Sequence, residues 1–175
     1  MDREEWYRTR HDRELDRRAA LIRGASVPAG IAGGFGAAAY NALVGISWPL
    51  NFFDWAKVYP IVVAASYLGR GYFRLARVFT VWGLHYPAVP KLFKDYYDKR
   101  LAYHKGKDDA DPSAKATEDW NHILVDDLIE CASDNFRENG ELSEELNRAK
   151  VDVVATGWWL SAVYGIIVIE KIFTG

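Results

Sequence analysis

Gly24 to Ile46 reads GASVPAGIAGGFGAAAYNALVGI, a run without one charged side chain, and the next charge does not arrive until Asp54. A helix needs roughly 20 predominantly apolar residues to cross a bilayer core, because it rises 1.5 Å per residue through hydrocarbon about 30 Å thick. The run satisfies that length and predicts a first transmembrane helix over about 24–46. Its small residues recur at helical spacing. Gly30, Gly34 and Ala38 form one row, with Ala29, Gly33 and Ala37 beside it. Small side chains let helix backbones approach closely, which is how helices gain packing energy in lipid. The row therefore predicts contact with another helix, either within the chain or in a second subunit.

Working outward, residues 1–23 are dense in Arg, Asp and Glu and read as a cytoplasmic polar helix leading into the span, with Leu15, Ala19 and Ile22 at spacings of four and three. Downstream, Trp48, Pro49, Asn51 and Asp54 mark a short turn with interfacial aromatics. A second span of about 55–73 follows, with a cytoplasmic extension to 84, so that 24–84 forms a transmembrane hairpin. Arg70, Arg74 and Arg77 share one face of it. Two readings of that stripe stay open: headgroup contact where the helix leaves the bilayer, or a ligand-binding or pore-lining face that favours anions.

Pro87 and Pro90 punctuate the exit, and 85–150 reads as a cytoplasmic helical segment. It has one amphipathic helix carrying Leu92, Phe93, Tyr96, Tyr97 and Leu101, a linker from Lys105 to Lys115, and a second helix from Thr117 with Trp120, Ile123, Leu124, Leu128 and Cys131 along a stripe. The helix bearing Tyr96 is its expected partner. Asn139-Gly140 predicts a break or kink, with Ser143, Glu144 and Glu145 restarting a helix. Residues 151–175 form the third transmembrane helix, with Gly157, Ser161 and Gly165 as a further small-residue row for helix packing. The fold class is thus all-α, a helical integral membrane protein with three transmembrane helices and a cytoplasmic segment between the second and third.

The mean hydropathy is slightly negative, which hides how far charge and apolar residues are segregated. Lysine and arginine number seven in 1–23, one in 47–57, thirteen in 70–150 and one in 170–175. Basic residues near span ends stay cytoplasmic, so the charge pattern predicts a multi-pass inner-membrane protein with a cytoplasmic amino terminus. Cys131 is the only cysteine, so no internal disulfide is available.

No catalytic, metal-binding or nucleotide-binding motif appears in the sequence, which leaves a membrane-bound enzyme or small-solute transporter as a third reading. His11, His85, His104 and His122 are scattered without an HExxH pattern, no P-loop or GxSxG occurs, and the glycines of 24–36 follow no strand. No catalytic residue, metal site or cofactor is expected, and no nucleic acid partner. Arg100 and His104, one turn apart, read as an accidental surface pair. Asp126, Asp127, Glu130 and Asp134 read as a solvated acidic face. Asn135 and Asn139, four apart, read as residues that bond between helices.

The stretch Glu14-Leu15-Asp16-Arg17-Arg18-Ala19-Ala20-Leu21-Ile22, leading into a span and then a helical hairpin, resembles bacterial membrane effectors of anti-phage systems, the Pycsar membrane-effector and SLATT-like groups. The stretch Leu128 to Lys150, with Asp134-Asn135, Asn139, Leu146 and Ala149, is similar to the cytoplasmic helix that follows the hairpin in those groups. The resemblance implies a protein that oligomerises in the bacterial inner membrane and permeabilises it or opens a pore, a role in antiviral defense. It departs from the common two-span form by its third span, and it has no recognisable ligand-sensing domain. The alternative is a non-catalytic accessory subunit of a larger membrane complex. In both, the partners are the lipid bilayer and other subunits, as a homo-oligomer or a mixed complex.

Overall fold

The computed structural model describes residues 3–46, 50–80, 86, 90–107 and 109–174. Trp48 and Pro49 of the expected turn, the 81–84 extension, His85, Pro87 and the side chains of Pro90 and Phe93 lie outside the described residues. Four helices account for nearly all the rest, with no strand among the described residues: α1 (Arg3–Val44), α2 (Phe52–Thr80), α3 (Pro90–Gly106) and α4 (Pro112–Thr174). The chain is all-α.

Two compact units share these helices. The first comprises residues 1–19 and 82–140, and the second comprises 20–81 and 141–175. Both α1 and α4 contribute to each.

In the second unit, α1, α2 and the later half of α4 pack side by side. Three apolar clusters give the register: Ala25 with Leu75, Leu146 and Ala149; Ala39 with Ala64 and Leu160; Ala42 with Ile61 and Val163. Advancing along α1 and α4 thus means receding along α2, so α2 is antiparallel to the other two. Alanines dominate the inward face of α1, and Gly71 of α2 stands so near α4 that a Cβ there would lie 3.5 Å from Asp152 Cβ. Pro28 and Pro60 are both buried inside helices. In water such prolines are costly, whereas transmembrane helices tolerate them.

In the first unit, α4 starts earlier than the Thr117 cap anticipated. Asp111 is the cap, its Oδ1 accepting from the Ala114 backbone N–H at 2.9 Å and from the Ser113 hydroxyl at 2.8 Å. The linker shrinks accordingly to 107–111. Of the break or kink expected at Asn139-Gly140, the break does not form: α4 runs through it as one helix. Asn139 is fully buried, and its amide donates to the Glu14 carbonyl at 2.7 Å and to Glu14 Oε2 at 3.1 Å, so α1 holds the site helical. Arg18 adds a 3.1 Å pair with Glu138. The expected stripe on α4 is buried at Leu124, Leu128 and Cys131. Further along α4, Arg10 and Arg17 of α1 lie over the Phe136 ring, and α3 meets α4 through Arg100 and His104 on Asp119.

Two helices, α1 and α4, are long and apolar enough to cross a membrane by length and composition, where the sequence reading expected three. The helix that falls short is α2. Its Asp54, Lys57, Arg70, Arg74 and Arg77 lower its average hydropathy, and where those charges point decides what that average means.

Candidate functional site

The charges of the second unit gather in two layers. In one, Arg74 donates to Asp152 Oδ2 at 2.8 Å, its Nε lies 3.7 Å from Glu145 Oε2, and Arg77 reaches Glu145 Oε1 at 3.0 Å. Gly71, one turn from Arg74, lies against α4, where a Cβ would meet Asp152, Val153 and Ala149 at 3.5–3.8 Å, ordinary contact distances. Asp152 is buried, and the buried Thr156 turns its hydroxyl back to the Asp152 carbonyl at 2.9 Å. Of the three arginines expected to form a stripe, the fold brings Arg74 and Arg77 together on Glu145. Arg70 is apart from them, with its guanidinium 4.4 Å from the Tyr67 ring centroid. Two guanidinium groups meet two carboxylates, so this layer is balanced in charge.

The other layer centres on Lys57, whose ammonium lies 2.9 Å from Asp54 Oδ1 and 2.8 Å from Glu170 Oε2. Lys57 is 4% exposed and Asp54 2%. Asp54 is placed by a reciprocal cap: its backbone N–H donates to Asn51 Oδ1 at 2.7 Å, and the Asn51 N–H donates to Asp54 Oδ2 at 3.2 Å. Sequence reasoning missed this triad. The signal was available, since Asp54, Lys57 and Glu170 are isolated charges bordering long apolar runs, where an ionisable group needs a partner.

In the middle of the unit, between the layers, the only charged side chain among the described residues is Arg70, near the Arg74 end of α2 and exposed. Lys57 and Arg74 are separated by about 26 Å along α2, and Asp152 and Glu170 by about 27 Å along α4, at 1.5 Å per residue. The surface around that middle is apolar. Val44, Tyr59, Val62, Phe73, Val154 and Trp158 are all exposed, Trp158 at 71%. The unit thus turns Asp54, Lys57 and Asp152 inward and these large hydrophobic side chains outward, while Arg70 and Arg77 stay exposed. Only 22% of the apolar window of α1 and 28% of that of α4 is buried, unlike the core helix of a soluble protein.

The expected packing residues divide. Gly157 faces α1 so closely that a Cβ would stand 2.9 Å from Phe35 Cζ, and Ala38 packs beside Ala39, Ala64 and Leu160 while its carbonyl accepts from Tyr164 at 3.2 Å. Ser161 is exposed and bonds back to the Gly157 carbonyl at 2.8 Å. A Cβ at Gly30, Gly34 or Gly165 would meet nothing within 4 Å. Helical spacing identified rows of small residues, while the inward row on α1 is Ala25, Ala32, Ala39 and Ala42.

Among the described residues, no group of three or more His, Cys, Asp or Glu side chains is arranged to hold a metal ion. Cys131 is buried, and that burial, followed by the nearby carboxylates Asp127, Glu130 and Asp134, pushes its thiol up to about 11, far from the range of a reactive thiolate. No protein-family model matches the chain, and no curated protein or solved structure matches it.

Proposed function

We propose that the second unit is a transmembrane domain of three helices and that the chain acts through assembly in the bacterial inner membrane. The observation that carries this reading is the inverted surface, with exposed Trp158, Val154, Val62 and Phe73 against buried Asp54, Lys57 and Asp152. In water this arrangement exposes apolar area to solvent and removes ions from it, both unfavourable. In lipid both choices become favourable, since tails solvate the outer face and each inward ion has a partner. The same argument supports α2 as a third span: Lys57 and Arg74, which lower its average hydropathy, are turned inward and paired. The spacing between the charged layers fits a hydrocarbon core about 30 Å thick. The basic residues of 1–23 and 70–150 favour a cytoplasmic amino terminus and first unit, with the Asp54 end outside.

Within that reading, the chain is an oligomerising effector that perturbs or permeabilises the membrane, the role in phage defence that the resemblance implies. The interior of one copy is closed by packed side chains, and Arg74 and Arg77 are engaged with carboxylates, so permeation requires several copies or a rearrangement of these pairs. The open faces at Gly30, Gly34 and Gly165 support helix contact beyond the single chain. They equally favour a second reading, a non-catalytic accessory subunit packed against different proteins. Native mass measurement in detergent, paired with dye release from vesicles carrying the purified chain, separates the two. Self-assembly with leakage supports the effector. A monomer that leaves vesicles tight and co-purifies with other membrane proteins overturns it in favour of the subunit.

A further inference from the structure

The junction of α3 and α4, within the first unit, is built around one imidazole. His104, in the last turn of α3, places Nδ1 2.7 Å from Asp109 Oδ2 and Nε2 3.1 Å from Asp119 Oδ2. Asp109 belongs to the short connection and Asp119 to the second turn of α4. A neutral imidazole has one N–H and one bare lone pair, so it donates at one nitrogen only. The imidazolium alone donates at both. Removing its proton turns one of the two contacts into a lone pair facing a carboxylate oxygen, and with the side chain only 12% exposed, water has little access to intervene.

We propose that His104 is a charge-operated clasp: as imidazolium it fastens Asp109, beyond the end of α3, to α3 and to Asp119 of α4, and deprotonation releases Asp109. The charged and titratable groups around it define how far the release goes. From α3, Arg100 lies 3.4 Å from Asp119 and donates from Nε to the Tyr96 hydroxyl at 2.7 Å, Tyr103 meets the imidazole edge-on, and Lys107 lies over the Tyr103 ring. From the start of α4, Lys115 lies 2.8 Å from Asp109 Oδ1. Each carboxylate thus keeps one cation when His104 is neutral. Arg100 continues to tie α3 to α4 through Asp119, so the change is a local loosening of the connection and leaves the helices folded.

The direction in pH follows. Hydrogen bonds to Asp109 first and Asp119 second hold the imidazole above its ordinary value, and Lys115 with His104 holds Asp109 below the usual carboxylate range. A raised histidine contributes fully below its unfolded value of about 6.5, and its contribution is lost as pH rises through the folded value. The Asp109 contribution has the opposite sense, present above about 3.9 and lost as pH falls through its lowered value. The clasp is therefore shut at mildly acidic pH and opens on the alkaline side. This inference does not depend on the membrane reading.

The test uses the full chain in detergent micelles, with histidines isotope-labelled, followed by NMR from about pH 5 to 9, the range that brackets imidazole titration. Deuterium exchange of the 105–117 backbone is measured alongside and corrected for the intrinsic pH dependence of exchange. His104, assigned by its absence in His104→Gln, is expected to titrate above the ordinary imidazole value. Exchange at 109–111 is expected to rise through the same midpoint, by about tenfold for each unit of pKa elevation. In His104→Gln that pH step disappears. Asp119→Asn, which keeps a hydrogen-bonding group opposite Nε2, lowers the midpoint and supplies the readout if the first variant folds poorly. A His104 that titrates at the ordinary value, or a pH step that survives in His104→Gln, overturns the proposal.

Discussion

The two units are made partly from the same two helices, yet they solve burial in opposite ways. In the first, α4 buries Leu124, Leu128 and Cys131 while Asp126 and Glu130 face outward, the ordinary arrangement for a helix in water. In the second, the same helix buries Asp152 and Thr156 and exposes Val151, Val154 and Trp158. The α1 helix changes in the same way, from exposed Asp12 and Asp16 to exposed Val27 and Ile31. Since helix type and chain are shared, the difference lies in what each half turns outward, and the proposed membrane reading of the second unit rests on it. Both units also bury polar groups, but with different consequences. Glu14, Arg18, Asn135 and Asn139 are buried beside a charged surface, whereas Lys57 and Arg74 are paired with carboxylates beside an apolar one.

The sharpest way to break the comparison is to remove one partner from a charged layer of the second unit. Asp152→Ala leaves Arg74 beside Glu145 alone, and the expected loss is about 3–5 kcal/mol of unfolding free energy in detergent. Exchanging the pair, as Arg74→Asp with Asp152→Arg, is expected to recover part of it. The corresponding change in the first unit is milder. Asn139→Ala forfeits two hydrogen bonds to Glu14 but also removes Oδ1, a buried acceptor without a partner, so a loss of about 1–3 kcal/mol is expected in the same unfolding measurement. The smallest contrast lies within the second unit. Gly157→Ala must displace Phe35 and is expected to cost about 1–3 kcal/mol, while Gly30→Ala meets no atom of its own chain and leaves unfolding unchanged. An effect of Gly30→Ala on native mass alone would identify its face as a contact between chains.

Much of this was legible in the residues. The charge-free run 24–46 and the apolar run after Asp152 announced α1 and α4, because hydropathy over a helix length needs no tertiary information. The α2 helix was legible as a helix, but the destination of its arginines was not. Their partners Glu145 and Asp152 lie some seventy residues away in sequence, and no local pattern encodes that pairing. The same holds at Asn139-Gly140, where local turn chemistry predicted a break and a bond to Glu14 overrode it. His104 was passed over because its spacing to Arg100 looked accidental, whereas the carboxylates that give it meaning come from the connection and from α4.

The most direct test of the central claim is a depth scan with nitroxide labels. With Cys131→Ala as background, single cysteines are placed at Val62, Val154, Trp158 and Ile123, labelled, and reconstituted in vesicles. Collision with oxygen, which concentrates in hydrocarbon, is compared with collision with a water-soluble nickel chelate. The account predicts oxygen-dominated collision at 62, 154 and 158 and nickel-dominated collision at 123. Nickel-dominated collision at all four positions would contradict it.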